Sequence, residues 1–395
     1  MFWYPLMKDC ITDSDKKALI DFISNTDRLT NGPKVKEFEK AWSEWLGCKH
    51  SLFVSSGSTA NFLLLAAVKE KFNLKEGSKV LVPALTWMTS VSPIMQLGLE
   101  PVFCDINKET FSFNLDHMQR IKNKHSDISI VFATHLMGNP SDMDSYKKIF
   151  PKALFLEDVC ESHGATYKSK KAGTLSSGST FSFYFGHHMT TIEGGIVCTN
   201  DSSLYHLMRL KRSHGLAREA EPEKFEEYKK MYPEIHPQFL FVTDGYNFRS
   251  TDLNAVLGLS QLQRLDDNIT IRKRIFSSFR QLSQKYDFYE VPSVDGNSCY
   301  CLPFVCKDAI IKNKLENYLS NNGVETRPLI AGNLLRHPFL KNYSYPLEIE
   351  EEALSVNVLH ERGFFIGNSH LVSQDDLEKI DSLIDSFSKL EEDIL

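Results

Sequence analysis

Two adjacent histidines, His187 and His188, stand in the stretch FSFYFGHHMTTIEGG, residues 181–195. Its alternating aromatic and small residues read as a buried strand ending in a turn that carries the histidines, Thr190, Thr191 and the Gly194-Gly195 pair. An imidazole at a strand end is a candidate proton carrier, because its free pKa lies close to neutrality. In ALFLEDVCESHGATY the acids Glu157, Asp158 and Glu161 fall near the end of another apolar strand, where an acid either caps the turn or serves chemistry. SSGSTANFLLLAAVKEKF, from Ser55, reads as strand end, Gly-Ser-Thr turn and helix. Gly57 and Ser58 therefore stand where free N–H groups could hold an anion, the alternative being Ser58 or Thr59 as an ordinary cap. Trp87 follows an apolar strand that starts at Val80, and is either core or a flat face for a stacked ring. LKRSHGLARE sets Arg212, His214 and Arg218 close together, and GYNFRSTDLNAVLG supplies Tyr246, Asn247 and Arg249. Arg218 and Arg249 are either surface residues or forks for carboxylates.

These residues need a frame that gathers strand ends. DSDKKALIDFISN has the apolar spacing of a helix, and VLVPAL, PVFCDIN, ISIVFATHL and ALFLEDV alternate with helical segments. That alternation predicts an α/β fold with a large mixed or parallel sheet covered by helices. A helix capped near Ser250 or Thr251 follows, and CYCLPFVC, KNKLENYLSNNG and VETRPLI predict a smaller C-terminal αβ domain. The expected division is residues 1–255 and 256–395, with no repeat or low-complexity tract.

At 395 residues, 42% hydrophobic and 24% charged, the chain is long enough for two packed units. A net charge of -6 without a basic block gives no footprint for nucleic acid or an anionic membrane. The start, MFWYPLMKDC, has neither a basic leader nor a signal core, and no apolar run approaches the ~20 residues that span a bilayer. A cytoplasmic protein is expected. The eight cysteines are scattered and read as buried thiols rather than a disulfide framework. Cys299, Cys301 and Cys306 cluster, but they alternate along a strand and lack a second ligand pair, so no metal is expected.

On these segments the chain resembles the sugar aminotransferases of the DegT/DnrJ/EryC1/StrS family. Their cofactor segment reads roughly SF(Y/H)xxKxxxxGEGG, with the lysine holding pyridoxal phosphate (PLP). Laid on Ser182-Phe183-Tyr184 and Glu193-Gly194-Gly195, that pattern puts His187 at the lysine position, and no lysine lies between Lys171 and Lys211. Histidine there resembles the subgroup of 3-dehydratases acting on nucleotide-linked 4-keto-6-deoxy sugars. The resemblance implies the fold of PLP-dependent aspartate aminotransferases (fold type I), with the first segments folded back on the large domain near the site. It implies that Gly57 and Ser58 hold the cofactor phosphate, Trp87 stacks on the ring and Asp158 pairs with the pyridine nitrogen. Glu161, where the family usually has glutamine, would stand beside the ring hydroxyl, and Ser182 is a further cofactor contact. Asn247 would reach the phosphate of the other subunit, which makes a homodimer. His214, Arg218, Arg249, Arg327 and Asn333, the last two in RPLIAGNLL, become candidate substrate contacts. A related dehydratase carries an iron-sulfur cluster on cysteines of the active-site region, where this chain offers Cys198 alone from Ser182 to Glu290.

The implied reaction uses free pyridoxamine phosphate (PMP) on the 4-keto group, with His187 removing a proton from the cofactor and helping the hydroxyl leave carbon 3. The sugar would leave as a 4-keto-3,6-dideoxy product with ammonia, and L-glutamate would restore PMP and depart as 2-oxoglutarate. GDP is the expected nucleotide, on a hexose or a heptose. His188 is the alternative base, although alternation along an extended strand would turn only one of the pair to the cofactor. Two other readings stand beside this one: an aminotransferase returning an amino sugar, and a non-catalytic cofactor-binding protein on the same fold.

Overall fold

The computed structural model describes residues 2–8, 10–342 and 355–390. Five strands come first: β1 (His50–Val54), β2 (Lys79–Pro83), β3 (Glu100–Cys104), β4 (Ile128–Thr134) and β5 (Leu154–Asp158). A two-residue ladder, β6 (Thr166–Tyr167) with β7 (Lys170–Lys171), precedes β8 (Gly178–Ser182) and β9 (Gly195–Thr199). Seven of these form one sheet in the order β1-β9-β8-β5-β4-β2-β3. The run β3-β2-β4-β5-β8 is parallel, and β9 pairs antiparallel with both β8 and β1. The carboxyl ends of the parallel strands therefore share one edge, the place where open α/β sheets gather ligands. Because β9 runs the other way, its first residue, Gly195, arrives at that same edge opposite Val54.

Three helices open the chain: α1 (Asp13–Ser24), α2 (Pro33–Leu46) and α3 (Gly57–Lys71). Thr12 caps α1 in a capping box with Asp15, and α3 buries Leu63, Leu64, Ala67 and Val68 completely. Each such Leu or Val removed from water contributes about 1.5–3 kcal/mol, so α3 is held by its packing on the sheet.

The smaller sheet contains β10 (Tyr289–Glu290), β11 (Cys301–Cys306), β12 (Thr326–Pro328) and β13 (Gly363–Gly367), ordered β10-β11-β13-β12. Along β11, Leu302, Phe304 and Cys306 enter the small-sheet core, while Cys301 and Val305 face the core of the large sheet. Cys301 and Cys306 thus lie on opposite faces and cannot share a ligand.

Residue 255 falls inside the helix Asp252–Leu262, which is capped by Thr251 and packs on α1 and α2. The change of partner comes at Arg264; the next helix, Leu265–Ser283, sends Ile275, Phe276 and Phe279 into the small-sheet core. The first residues touch the smaller sheet before the chain reaches the large unit. Tyr4 bridges Val324 beside β12, and its hydroxyl donates to the Gly367 carbonyl at 2.7 Å. The chain then returns to the large unit, where Met7 lies against Gly186 in the histidine turn. β12 is the last strand of the smaller sheet, and Tyr4 pairs with the backbone just ahead of it.

A buried ion pair braces β1. Arg212 donates to Glu39 at 2.7 Å and to the Phe53 carbonyl at 2.9 Å, and Glu39 accepts the Phe53 N–H at 2.8 Å. Among the described residues no helix is long and apolar enough to cross a membrane.

Candidate active site

The edge of the large sheet assembles the site from four strand ends. After β1, Ser56 caps α3 and Thr59 returns the bond to the Ser56 N–H at 3.0 Å. The cap is therefore neither Ser58 nor Thr59, and Ser58 is left exposed at the helix start. A Cβ on Gly57 would lie 2.6 Å from Ser182 Cβ, and one on Gly195 would lie 2.2 Å from the Ser56 carbonyl oxygen. Only glycine permits this contact between the α3 turn, β8 and β9. Gly57→Ala is expected to push the turn from Ser182 and cost about 1–3 kcal/mol of stability, with weaker PLP binding; a thermal melt and a spectroscopic PLP titration read both.

At the end of β5, Asp158 is buried and fixed by three donors. Ser90 and Asn61 each donate to Oδ2 at 2.8 Å, and the Cys160 N–H donates to Oδ1 at 3.1 Å. A carboxylate has about four acceptor positions, so Oδ1 retains capacity for one more N–H. Glu157 points through the other face of the sheet. There it meets His135 at 3.0 Å and the Gly173 N–H at 2.7 Å, and, against a burial that raises it, the His135 bond holds its carboxyl low.

Glu161 accepts the Met137 N–H at 2.9 Å, from a residue held at φ 55. Burial, only partly countered by that bond and reinforced by Asp158, pushes its carboxyl up to about 7. An acid raised in the folded chain stabilises it most below the unfolded pKa of about 4.3, and that stability is lost as pH rises through 7. Glu161→Gln is expected to flatten this part of the pH dependence, by no more than about 4 kcal/mol between pH 4 and 8, as measured by urea unfolding.

Trp87 stands on the rim, 57% exposed, one turn before Ser90.

The histidine segment is a turn and not the extended strand that alternation assumed: β8 stops at Ser182, and the His187 N–H bonds back to the Tyr184 carbonyl at 3.1 Å. Phe183 anchors the loop, its N–H to the Gly194 carbonyl at 2.8 Å and its carbonyl to the Thr191 N–H at 2.9 Å. His188 is 1% exposed and meets the Ser298 carbonyl at 3.1 Å, so it is turned away from the opening. His187 is half-buried, ringed by His163, Tyr184 and Tyr300. Burial first, then the Arg272 cation, lower its pKa to about 3, so the ring is neutral and able to accept a proton.

The remaining candidates separate. Asn247 accepts from Arg249 Nε at 3.0 Å, and His214 lies 3.5 Å from Arg249, so these three form one exposed group. Phe248, between Asn247 and Arg249, accepts the Ser55 N–H at 3.0 Å, which sets the group beside the α3 turn. Arg218 points elsewhere, to Gln238. Arg327 is exposed on β12 and pairs with Glu325 at 3.0 Å. Asn333 is 3% exposed, its amide oxygen takes the Leu335 N–H at 3.0 Å and its nitrogen donates to Asn357 at 2.9 Å. Its side chain caps a short turn that packs against Ala84 and Leu85.

Sequence reasoning missed Asn61, Ser90, His163, Arg272 and Tyr300. Of these only His163 carried a local signal, since it sits in EDVCESHG beside the acids.

The description "DegT/DnrJ/EryC1/StrS aminotransferase family" matches residues 10–383. The chain belongs to the DegT/DnrJ/EryC1/StrS aminotransferase family. It is 33% identical to a GDP-4-keto-6-deoxy-D-mannose 3-dehydratase of Yersinia pseudotuberculosis over 97% of this chain and 98% of the other. The E. coli GDP-4-keto-6-deoxy-D-mannose 3-dehydratase, solved with bound hydrated PLP, superposes with a TM-score of 0.88 at 30% identity, covering 97% of this chain and 99% of that one. A GDP-4-keto-6-deoxymannose-3-dehydratase with a trapped PLP-glutamate geminal diamine gives 0.87 at 29% identity, over 96% and 99%. For a DegT/DnrJ/EryC1/StrS chain the missing lysine matters, and neither flanking lysine replaces it. Lys171 donates to the Trp45 carbonyl and lies over the Trp45 ring, while Lys211 is paired with Glu70 and Asp244.

Proposed function

We propose that this protein is a PLP/PMP- and glutamate-dependent 3-dehydratase of a GDP-linked 4-keto-6-deoxy sugar, yielding the 4-keto-3,6-dideoxy sugar, ammonia and 2-oxoglutarate. The observation that carries the reading is His187: a neutral imidazole in the turn where the family holds its lysine, within reach of the edge that Asp158, Ser182 and Gly57 define. The site fits the cofactor on its own geometry. The contact of Gly57 with Ser182 leaves the start of α3 open to a phosphate. Asp158 has acceptor capacity for a protonated pyridine nitrogen, and Trp87 offers its face. Bound PMP supplies an amine for the 4-keto carbon and a ring that takes up electrons.

The protein's own part is binding and proton transfer. Asp158, held by Ser90, Asn61 and the Cys160 N–H, keeps the ring nitrogen protonated. Glu161, near neutrality, lies on the same side of the edge and can share a proton with the ring oxygen. His187 takes the proton from carbon and, once charged, returns it to the departing carbon-3 hydroxyl. Because no lysine competes for the aldehyde of PLP, glutamate has direct access to it.

The exposed group Asn247, Arg249 and His214 serves the phosphate or a carboxylate, Asn247 from the second subunit of a homodimer. Arg218 and Arg327 are outer substrate contacts. A cytoplasmic location suits a reaction that draws on nucleotide sugars and glutamate.

The test is incubation with PLP, L-glutamate and GDP-4-keto-6-deoxymannose, followed by mass spectrometry and an ammonia assay. A product one oxygen lighter with ammonia released is expected. An amino sugar that keeps its carbon-3 hydroxyl would refute dehydration.

A further inference from the structure

Three imidazoles meet behind the turn. The His163 ring lies 5.9 Å from that of His187 and 5.3 Å from that of His188, centroid to centroid. Trp42, Phe181 and Phe183 wall its other sides at 5.8, 5.5 and 5.8 Å, and it is fully buried. Four buried imidazole nitrogens in this contact have no hydrogen-bond partner, both of His163, Nδ1 of His187 and Nδ1 of His188, and Nε1 of Trp42 beside them has none either. A buried polar atom left unpaired is costly, and several in one place call for a common explanation.

Two hydrogen bonds would pair all four, and their direction is determined at one end. The Ser298 carbonyl can only accept, so His188 Nε2 carries its proton and His188 Nδ1 is an acceptor. His163 must then donate to His188, which makes its second nitrogen an acceptor, and two orphans beside it can donate to it, His187 Nδ1 and Trp42 Nε1, of which the imidazole is the one that needs its tautomer fixed. Neutral rings are required throughout. Burial first, helped by the Arg272 cation, keeps all three uncharged, Arg272 being itself buried with bonds to the Tyr300 and Asn368 carbonyls. The Ser182 backbone lies against the His163 ring and favours its charged form, but burial outweighs it.

We propose that His163 is a positioning residue, the middle of a chain His187–His163–His188–Ser298 that holds His187 with its proton on Nδ1 and leaves Nε2 as the basic nitrogen. The inference rests on His187 being the base, and it assigns the work of orienting that base to a ring that touches no substrate. When His187 takes up a proton on Nε2, the Nδ1–H bond to His163 strengthens, which favours the charged form at the moment it is needed.

The test uses histidine labelled with 15N in the full-length apoprotein, with the His187 signals identified by their loss in His187→Asn. The expected spectrum has His187 protonated on Nδ1. In His163→Phe, which keeps a ring and removes both nitrogens, that preference should disappear. Kinetically, the holoenzyme of His163→Phe should lose about 100-fold in kcat with KM unchanged, and His163→Gln, which can both donate and accept, should recover part of it. If His163→Phe does not fold, the spectrum of His163→Gln decides. A native His187 protonated on Nε2, or a tautomer and kcat untouched by either substitution, would overturn the proposal. Because the spectrum needs no sugar, failure of the dehydratase reading would leave it unaltered.

Discussion

Exchange of His187 for asparagine is expected to lower the rate of dehydration by about 100- to 10,000-fold, while PLP still binds. The separation of the two effects follows from the layout. The groups proposed to hold the cofactor, Gly57, Asp158 and Ser182, belong to the start of α3, to β5 and to β8, and the bonds that fix Asp158 do not pass through His187. Single-turnover formation of the deoxygenated sugar, set beside a spectroscopic PLP titration, measures both. His187→Lys should also fail to release ammonia. The native profile carries a second signature: because burial and Arg272 lower His187 to about 3, any acid limb it causes must lie far below the pKa of free histidine. A variant that dehydrates at the native rate would remove His187 from the reaction.

The other large effect is on stability. Arg212→Met should destabilise the fold by about 3–5 kcal/mol, because it strands the Glu39 carboxylate in a buried site. Against a total of about 5–15 kcal/mol for a folded protein, that is a large share. Arg212 also holds the Phe53 carbonyl, one residue before the end of β1, so the turn at Ser56-Gly57 should loosen together with the core. Urea unfolding of the apoprotein gives the loss. The double variant Glu39→Leu with Arg212→Met should regain much of it, since a matched apolar pair removes the buried charge. A single variant within 1 kcal/mol of the native chain would mean that water reaches the pair.

How much of this was legible in the sequence depended on distance along the chain. Strands that alternate with helices, the Gly-Ser-Thr turn, Asp158 at a strand end and the paired glycines are local patterns, and each formed where its residues predicted. The Gly194-Gly195 pair even has a steric reason, since Gly195 must pass the Ser56 carbonyl. The surroundings of His187 were not legible, because Arg272, Ser298 and Tyr300 arrive from segments some hundred residues away and look locally like an ordinary helix and loop. The cap of α3 was misread for another reason. Ser56 closes its box with Thr59, where the expected third residue is Glu or Gln, so the motif carried no recognisable signature. Asn333 has a role that its motif did not announce, capping the turn that follows it and donating to Asn357.

Tyr4 lies beside β12, at the margin of the smaller sheet, with its N–H bonded to the Gly323 carbonyl and its carbonyl to the Glu325 N–H. A margin of this kind is adhesive when bare, because its unpaired amides can recruit a strand from another molecule. By pairing with Gly323 and Glu325 the Tyr4 backbone occupies amides just ahead of that margin, and shortening the opening residues is expected to free them for pairing with another chain.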